Sequence, residues 1–371
     1  MNPHVIKSTG TTGLMLLLLL LVSCEKEGLD CFELSGATSD RFLIWDEQNL
    51  HGYINRNGEV VIPCQYRWAR SFYHGYAVVG DVRSIVIDIH GKTRLDTAAG
   101  VMGDFSKEGI APAIRGRKFG YVDQYGSELV PFQYNMSTTM TDGLGRVESG
   151  FRWGFYSADG EHAIPCTFAS VGVFSNGRAL VRDSSRLCGY IDRSGKLVIP
   201  HRFREARTFS ENLAAVWLPE GPAGFIDREG SLVIEAEYAS AQYFTDGLAA
   251  VMQNGVWGFI DRNGDMVISP AYEDAKPFFS NRAGVKTEGK WGFIDKKGQM
   301  VIEPLYGQVG SFVNGLALVM FDDRHYAYID TRGRVIHEMP AFYHPIAPLP
   351  PSVRLFPEGE EEMEAQLFRE P

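Results

Sequence analysis

The sequence predicts an all-β repeat fold, and three observations carry that prediction. A short segment of one composition recurs nine times at near-constant spacing. Each copy combines aromatic and β-branched residues with an acidic-to-glycine turn, the pattern of a β-hairpin. The composition also suits a folded body: 44% of the 371 residues are apolar and 22% charged, which excludes the low-hydrophobicity, high-charge regime of disorder. Net charge is −10, so a phosphate backbone would be repelled and nucleic acid is an unsuitable partner.

The chain opens with a segment that does not belong to the fold. Lys7 precedes an apolar run from Leu14 to Val22. As a helix this run spans only ~14 Å, well short of the ~30 Å hydrocarbon core, so it reads as the centre of a signal peptide over residues 1–23. The run ends in Leu21-Val22-Ser23-Cys24, which resembles the lipobox of bacterial lipoproteins. That resemblance implies lipidation of Cys24, whose thiolate is the nucleophile that would carry the diacylglycerol. Several acyl chains together make a stable anchor, so the expected membrane contact is through lipid alone. The expected location is the cell envelope, at the outer membrane of a diderm bacterium. Residues 24–40 read as a tether, starting with the charged Glu25, Lys26 and Glu27.

The repeat region covers residues 41–337. Taking Gly258-Phe259-Ile260-Asp261-Arg262-Asn263-Gly264 as the seed, matches start at Gly52, Ile85, Gly120, Gly154, Gly189, Gly224, Gly258, Gly292 and Ala327. The steps run from 33 to 35 residues. The opening tripeptide suits a strand. The fourth position is Asp, with Asn55 and Ser157 as the exceptions, and each of these side chains can accept a backbone N–H two residues on. The glycine three residues later supplies a positive φ without a Cβ clash. The repeated aspartate is therefore architectural. The chain returns in a second strand, as in Met266-Val267-Ile268, which a proline closes in several copies (Pro63, Pro131, Pro165, Pro200). A looser connection carrying a phenylalanine follows (Phe72, Phe209, Phe244, Phe278, Phe312), then a third strand such as Leu248-Ala249-Ala250-Val251.

These units resemble WG repeats, a bacterial family named for the Trp-Gly pair seen here as Trp153-Gly154, Trp257-Gly258 and Trp291-Gly292. The resemblance implies a β-rich repeat fold with binding roles and supplies no catalytic residues. A unit of this length cannot bury enough apolar surface alone to offset its conformational entropy, so each must lean on its neighbours. Three strands in so few residues favour an open or gently curled β-solenoid of nine three-stranded units. The alternative is a closed, propeller-like ring, whose blades ordinarily have four strands and about 40 or more residues. Beyond Ile336 the pattern stops, and residues 338–371 form a proline-rich acidic tail or cap that holds Glu358-Gly359-Glu360-Glu361-Glu362.

There is no nucleophile elbow, Walker loop, HExxH helix or calcium loop. Histidines occupy no fixed repeat position, so neither a metal site nor a cofactor is implied. Removing Cys24 leaves Cys31, Cys64, Cys166 and Cys188, with no pairing expected. The function expected is non-enzymatic: a repeat-built surface presented to a protein or peptide partner. The alternative is a carbohydrate or peptidoglycan module that stacks sugars on Trp153, Trp257 and Trp291.

Overall fold

The computed structural model describes residues 40–341, apart from 82, 97–99, 162, 322 and 323. The expectations for Cys24, Cys31, the signal peptide and the acidic run at 358–362 fall outside the described residues, whereas the expected start of the tail at 338 is too early, because the last strand, Val335–Met339, carries the repeat fold through Met339. Strands form nine separate antiparallel sheets, one per repeat, arranged as the blades of a β-propeller. Blade 1 comprises Phe42–Trp45, His51–Ile54 and Val60–Tyr66. The others run 68–95, 100–134, 136–168, 170–203, 205–238, 240–272, 274–306 and 308–339 for blades 2 to 9. Blade 7 shows the pattern: Ser240–Ala241, Leu248–Gln253, Val256–Asp261 and Met266–Tyr272, hydrogen-bonded in that order.

Two expectations are corrected here. Blades 2 to 9 have four strands, not three. The additional strand is usually two residues long, as in Trp68–Ala69 and Asp274–Ala275, too short to show a period. In every four-stranded blade but blade 3 it follows the outer strand of the preceding blade after a single linking residue, such as Arg67 or Glu273, so it adds no length to the repeat. The array is also a closed ring rather than a solenoid. The described residues form nine apolar clusters, each shared by two neighbouring blades, where an open row of nine would have eight. The ninth cluster joins Phe42, Ile44, Trp45 and Ile54 of blade 1 to Leu316, Leu318, Tyr326 and Tyr328 of blade 9.

The closing contacts copy the internal ones. In most blades the turn glycine packs against an isoleucine on the outer strand of the blade before it: Gly264 on Ile234, Gly298 on Ile268, Gly333 on Ile302. Gly58 of blade 1 packs in the same way on Ile336 of blade 9. Tyr121 donates its hydroxyl to the carbonyls of Thr138 and Arg146 one blade on. Tyr328 likewise donates across the junction to Leu43 O at 2.9 Å. Trp45 Nε1 donates to Pro340 O at 3.1 Å.

Between blades the apolar filling is aromatic. The aromatic of the hairpin meets the phenylalanine of the next blade edge-to-face in six places, including Phe225–Phe244 and Phe259–Phe278, both at 4.9 Å. Such pairs add ~0.5–1.5 kcal/mol beyond their buried area. This accounts for the phenylalanine that recurs in the otherwise irregular connection.

Candidate functional site

The propeller presents two faces and a rim. One face, here the turn face, carries the Asp-x-x-Gly hairpin turns together with the ends of the connections from each short strand. In blade 7, Asp261 Oδ1 accepts the backbone N–H groups of Asn263 and Asp265 at 2.9 and 3.0 Å, and Gly264 has φ +89°. Asn55, Asp88, Asp123, Asp192, Asp227, Asp295 and Asp330 make the same paired contacts. The repeated aspartate is thus engaged by the backbone in these copies, as the turn reading requires. In blade 4, where Ser157 stands at this position, Asp159 takes over the bond to Glu161 N.

A second set of side chains on this face ties blade to blade. Asp142 Oδ2 accepts Gly177 N (3.2 Å), Asn176 Oδ1 accepts Asn212 N (2.7 Å), Glu211 Oε1 accepts Gly247 N (3.2 Å), and Asp246 Oδ2 accepts Asn281 N (2.7 Å). Each acceptor sits at the equivalent place one blade earlier, so the row is a ladder running from blade 4 to blade 8. Arg262 pairs with Glu211, and Arg193 Nη1 donates 2.5 Å to Asp142 O. Sequence reasoning missed this ladder. Its signal is a residue with side-chain oxygen recurring just before the third strand.

The Trp-Gly position is structural. Trp257 and Trp291 are only 7% and 8% exposed, and Trp153 is half-buried. Trp257 lies across from Tyr272 and Trp291 from Tyr306, while the Lys276 ammonium sits 5.6 Å from the Trp291 ring and the Arg146 guanidinium 5.7 Å from Trp153. The structure does not bring the three indoles together into a platform. The glycine has a separate reason. A Cβ on Gly258 would lie 2.6 Å from Ile268 O, and one on Gly224 2.7 Å from Ile234 O. The outer strand is bulged where it passes this glycine, and backbone crosses backbone too closely for any side chain.

Burial raises the Asp104 carboxyl above its ordinary value, against the opposing Arg70 guanidinium 3.7 Å away. Burial also pushes the Cys64 thiol up to about 11 and raises Cys166 and Cys188, so these free cysteines are poor nucleophiles. Among the described residues, no three His, Cys, Asp or Glu side chains converge as a metal site would require.

The opposite face, here the loop face, carries the tips between the second and third strands and the links from blade to blade. These tips differ most from copy to copy. Blades 7 and 8 use Asn254-Gly255 and Glu288-Gly289, with both residues at positive φ, as a two-residue hairpin turn prefers. Blade 4 uses Gly150-Phe151 instead. Phe151 has φ +60° and is 91% exposed, and its N–H donates 2.5 Å to Glu148 Oε1. The same face carries the exposed cations Arg117, Lys118, Arg152 and Arg186, from the tips of blades 3, 4 and 5.

Comparison with known proteins agrees with this architecture. The family model for the WG containing repeat matches residues 52–80, 153–184, 189–216, 224–257, 257–291 and 291–324. The chain belongs to the WG containing repeat family. The matched segments contain the three Trp-Gly pairs and the turn glycines Gly58, Gly264 and Gly298, residues that pack strand on strand and blade on blade. No curated protein sequence matches the chain. Among solved structures, a crystal structure of a eukaryotic initiation factor is similar at a TM-score of 0.59 with 10% identity, covering 83% of this chain and 98% of that one. The computationally designed Ika8 protein (TM-score 0.43, 11% identity, 66% and 88% covered) and apo AztD from Citrobacter koseri (0.40, 12%, 74% and 93%) are also similar. At 10% identity the likeness to the initiation factor is one of fold.

Proposed function

We propose that this WG repeat propeller is a non-enzymatic scaffold that binds a protein partner on its loop face, with Phe151 as an anchor. Phe151 carries the reading. A bulky residue in the left-handed region costs about 1 kcal/mol or more, and an exposed aromatic gains nothing from the fold in return. Buried aromatic anchors beside arginine are the residues that dominate protein interfaces, and Arg152 adjoins this one. The burial of Trp257 and Trp291 weighs against sugar stacking on the Trp-Gly positions.

The test places a photo-crosslinking phenylalanine analogue at position 151, and in a second variant at position 255 on the tip of blade 7. A discrete adduct in native envelopes from position 151 and none from 255 is the expected result. Absence of any adduct at 151 refutes the anchor. Phe151→Asn should raise stability by ~0.5–1 kcal/mol in denaturant unfolding while weakening capture of that partner. Attachment through a lipid on Cys24 belongs to the same proposal, and unchanged membrane retention of Cys24→Ser would count against it.

A further inference from the structure

The rim of the propeller is made of outer strands, and their edges face no other strand. Six of them are seven residues long: those beginning at Val60, Glu128, Leu197, Leu232, Met266 and Met300. Long edges invite pairing with other chains unless something blunts them. Five of the six carry a proline: Pro63, Pro131, Pro200, Pro270 and Pro304. The shorter strand of blade 4 has Pro165, and the last strand, Val335–Met339, is stopped by Pro340. Blade 6 alone among the long ones, Leu232-Val233-Ile234-Glu235-Ala236-Glu237-Tyr238, has none.

The prolines of the sibling strands stand at positions equivalent to Glu235 (Pro63, Pro131, Pro200) or Ala236 (Pro270, Pro304). The fold therefore places no demand on an N–H at either position, and blade 6 retains both donors. Leu232 and Val233 are 38% and 47% exposed at the start of this strand, and Glu235 and Glu237 are exposed further along. Glu237 Oε1 lies 3.5 Å from Gln253 Nε2.

We propose that the outer edge of blade 6 accepts an extended peptide as a fifth strand, and that the peptide is basic. Main-chain hydrogen bonds to such an edge supply affinity, and alternate side chains supply selection. A peptide with aliphatic and cationic residues in alternation sets its cations on the face that carries Glu235 and Glu237 and its aliphatic residues on the other. A second copy of this chain fits worse. Antiparallel pairing of the strand with itself about Ala236 puts Glu235 opposite Glu237, and like charges directly opposite repel.

The experiment titrates the full chain with a synthetic peptide alternating valine and lysine, and with the same peptide carrying glutamate for lysine. Saturable binding of the lysine peptide, with slowed amide exchange confined to 232–238, is expected. Ala236→Pro should weaken it by about tenfold or more, near 1.4 kcal/mol, with thermal unfolding unchanged, because Pro270 and Pro304 occupy that place in intact blades. The double substitution Glu235→Lys and Glu237→Lys should reverse the preference towards the glutamate peptide. Failure to bind the lysine peptide, protection elsewhere, or affinity unmoved by Ala236→Pro overturns the proposal. So does a dimer in sedimentation that Ala236→Pro dissolves. This rim lies apart from Phe151, so its failure leaves the loop-face reading untouched.

Discussion

Gly258 shows how a single residue can be decided by another strand's backbone. The expectation from sequence was a glycine that opens a strand. Its reason is the bulged outer strand, whose Ile268 carbonyl comes too close for a Cβ. The two copies without glycine support this. In blade 9, Ala327 pairs in regular register with Glu338, and the only shift comes after Tyr328. In blade 2, the outer strand Thr93–Leu95 ends opposite Val86, before it could pass Ile85. Gly258→Ala should therefore cost ~1–3 kcal/mol in denaturant unfolding, as overpacking does. Ala327→Gly should cost no more than ~1 kcal/mol, the ordinary penalty of glycine in a strand. Equal costs at the two sites would contradict the crossing-backbone account. No single-sequence pattern reveals a bulge, so this role was illegible although the glycine itself was conspicuous.

At the scale of the element, the hairpin turn was the most legible part. The Asp-x-x-Gly spacing predicted the acceptor role of the side chain, and Asp192 illustrates it. Its Oδ1 accepts the Ser194 hydroxyl (2.6 Å) and the N–H groups of Ser194 and Lys196. The Ser194 hydroxyl above all, helped by those N–H groups, holds the Asp192 carboxyl below its ordinary value of 3.8. A depressed folded-state pKa means the native state favours the carboxylate. The stability it adds is complete above pH 3.8 and is lost as pH falls through the lower folded value. Asp192→Asn keeps an acceptor, as Asn55 does in blade 1, but cannot titrate. Its unfolding midpoint should fall less steeply in acid than that of the parent, and an identical acid limb would refute the assignment. The two-residue strand was illegible for the opposite reason. Alternation needs several residues to show, and Ser240–Ala241 offers two.

For the whole molecule, the repeat count was legible and the closure was not. Nine units are written in the spacing, yet the contact between the first and last blades depends on curvature, which no local motif records. Closure has a mechanical signature. Tyr190 and Tyr328 occupy equivalent hairpin positions, one facing blade 6 and the other facing blade 1. Truncating either to alanine should cost ~3–5 kcal/mol and accelerate amide exchange around the whole ring. In an open row, Tyr328→Ala would only fray the final blade, and exchange confined to residues 308–339 would argue for that shape. The junction also fixes where the chain enters and leaves. Asp40 pairs with Arg56 on the turn face, whereas Pro340 meets Trp45 at the opposite end of that strand. A leash attached ahead of Asp40 would suspend the disc by one side and leave Phe151 looking away from the point of suspension.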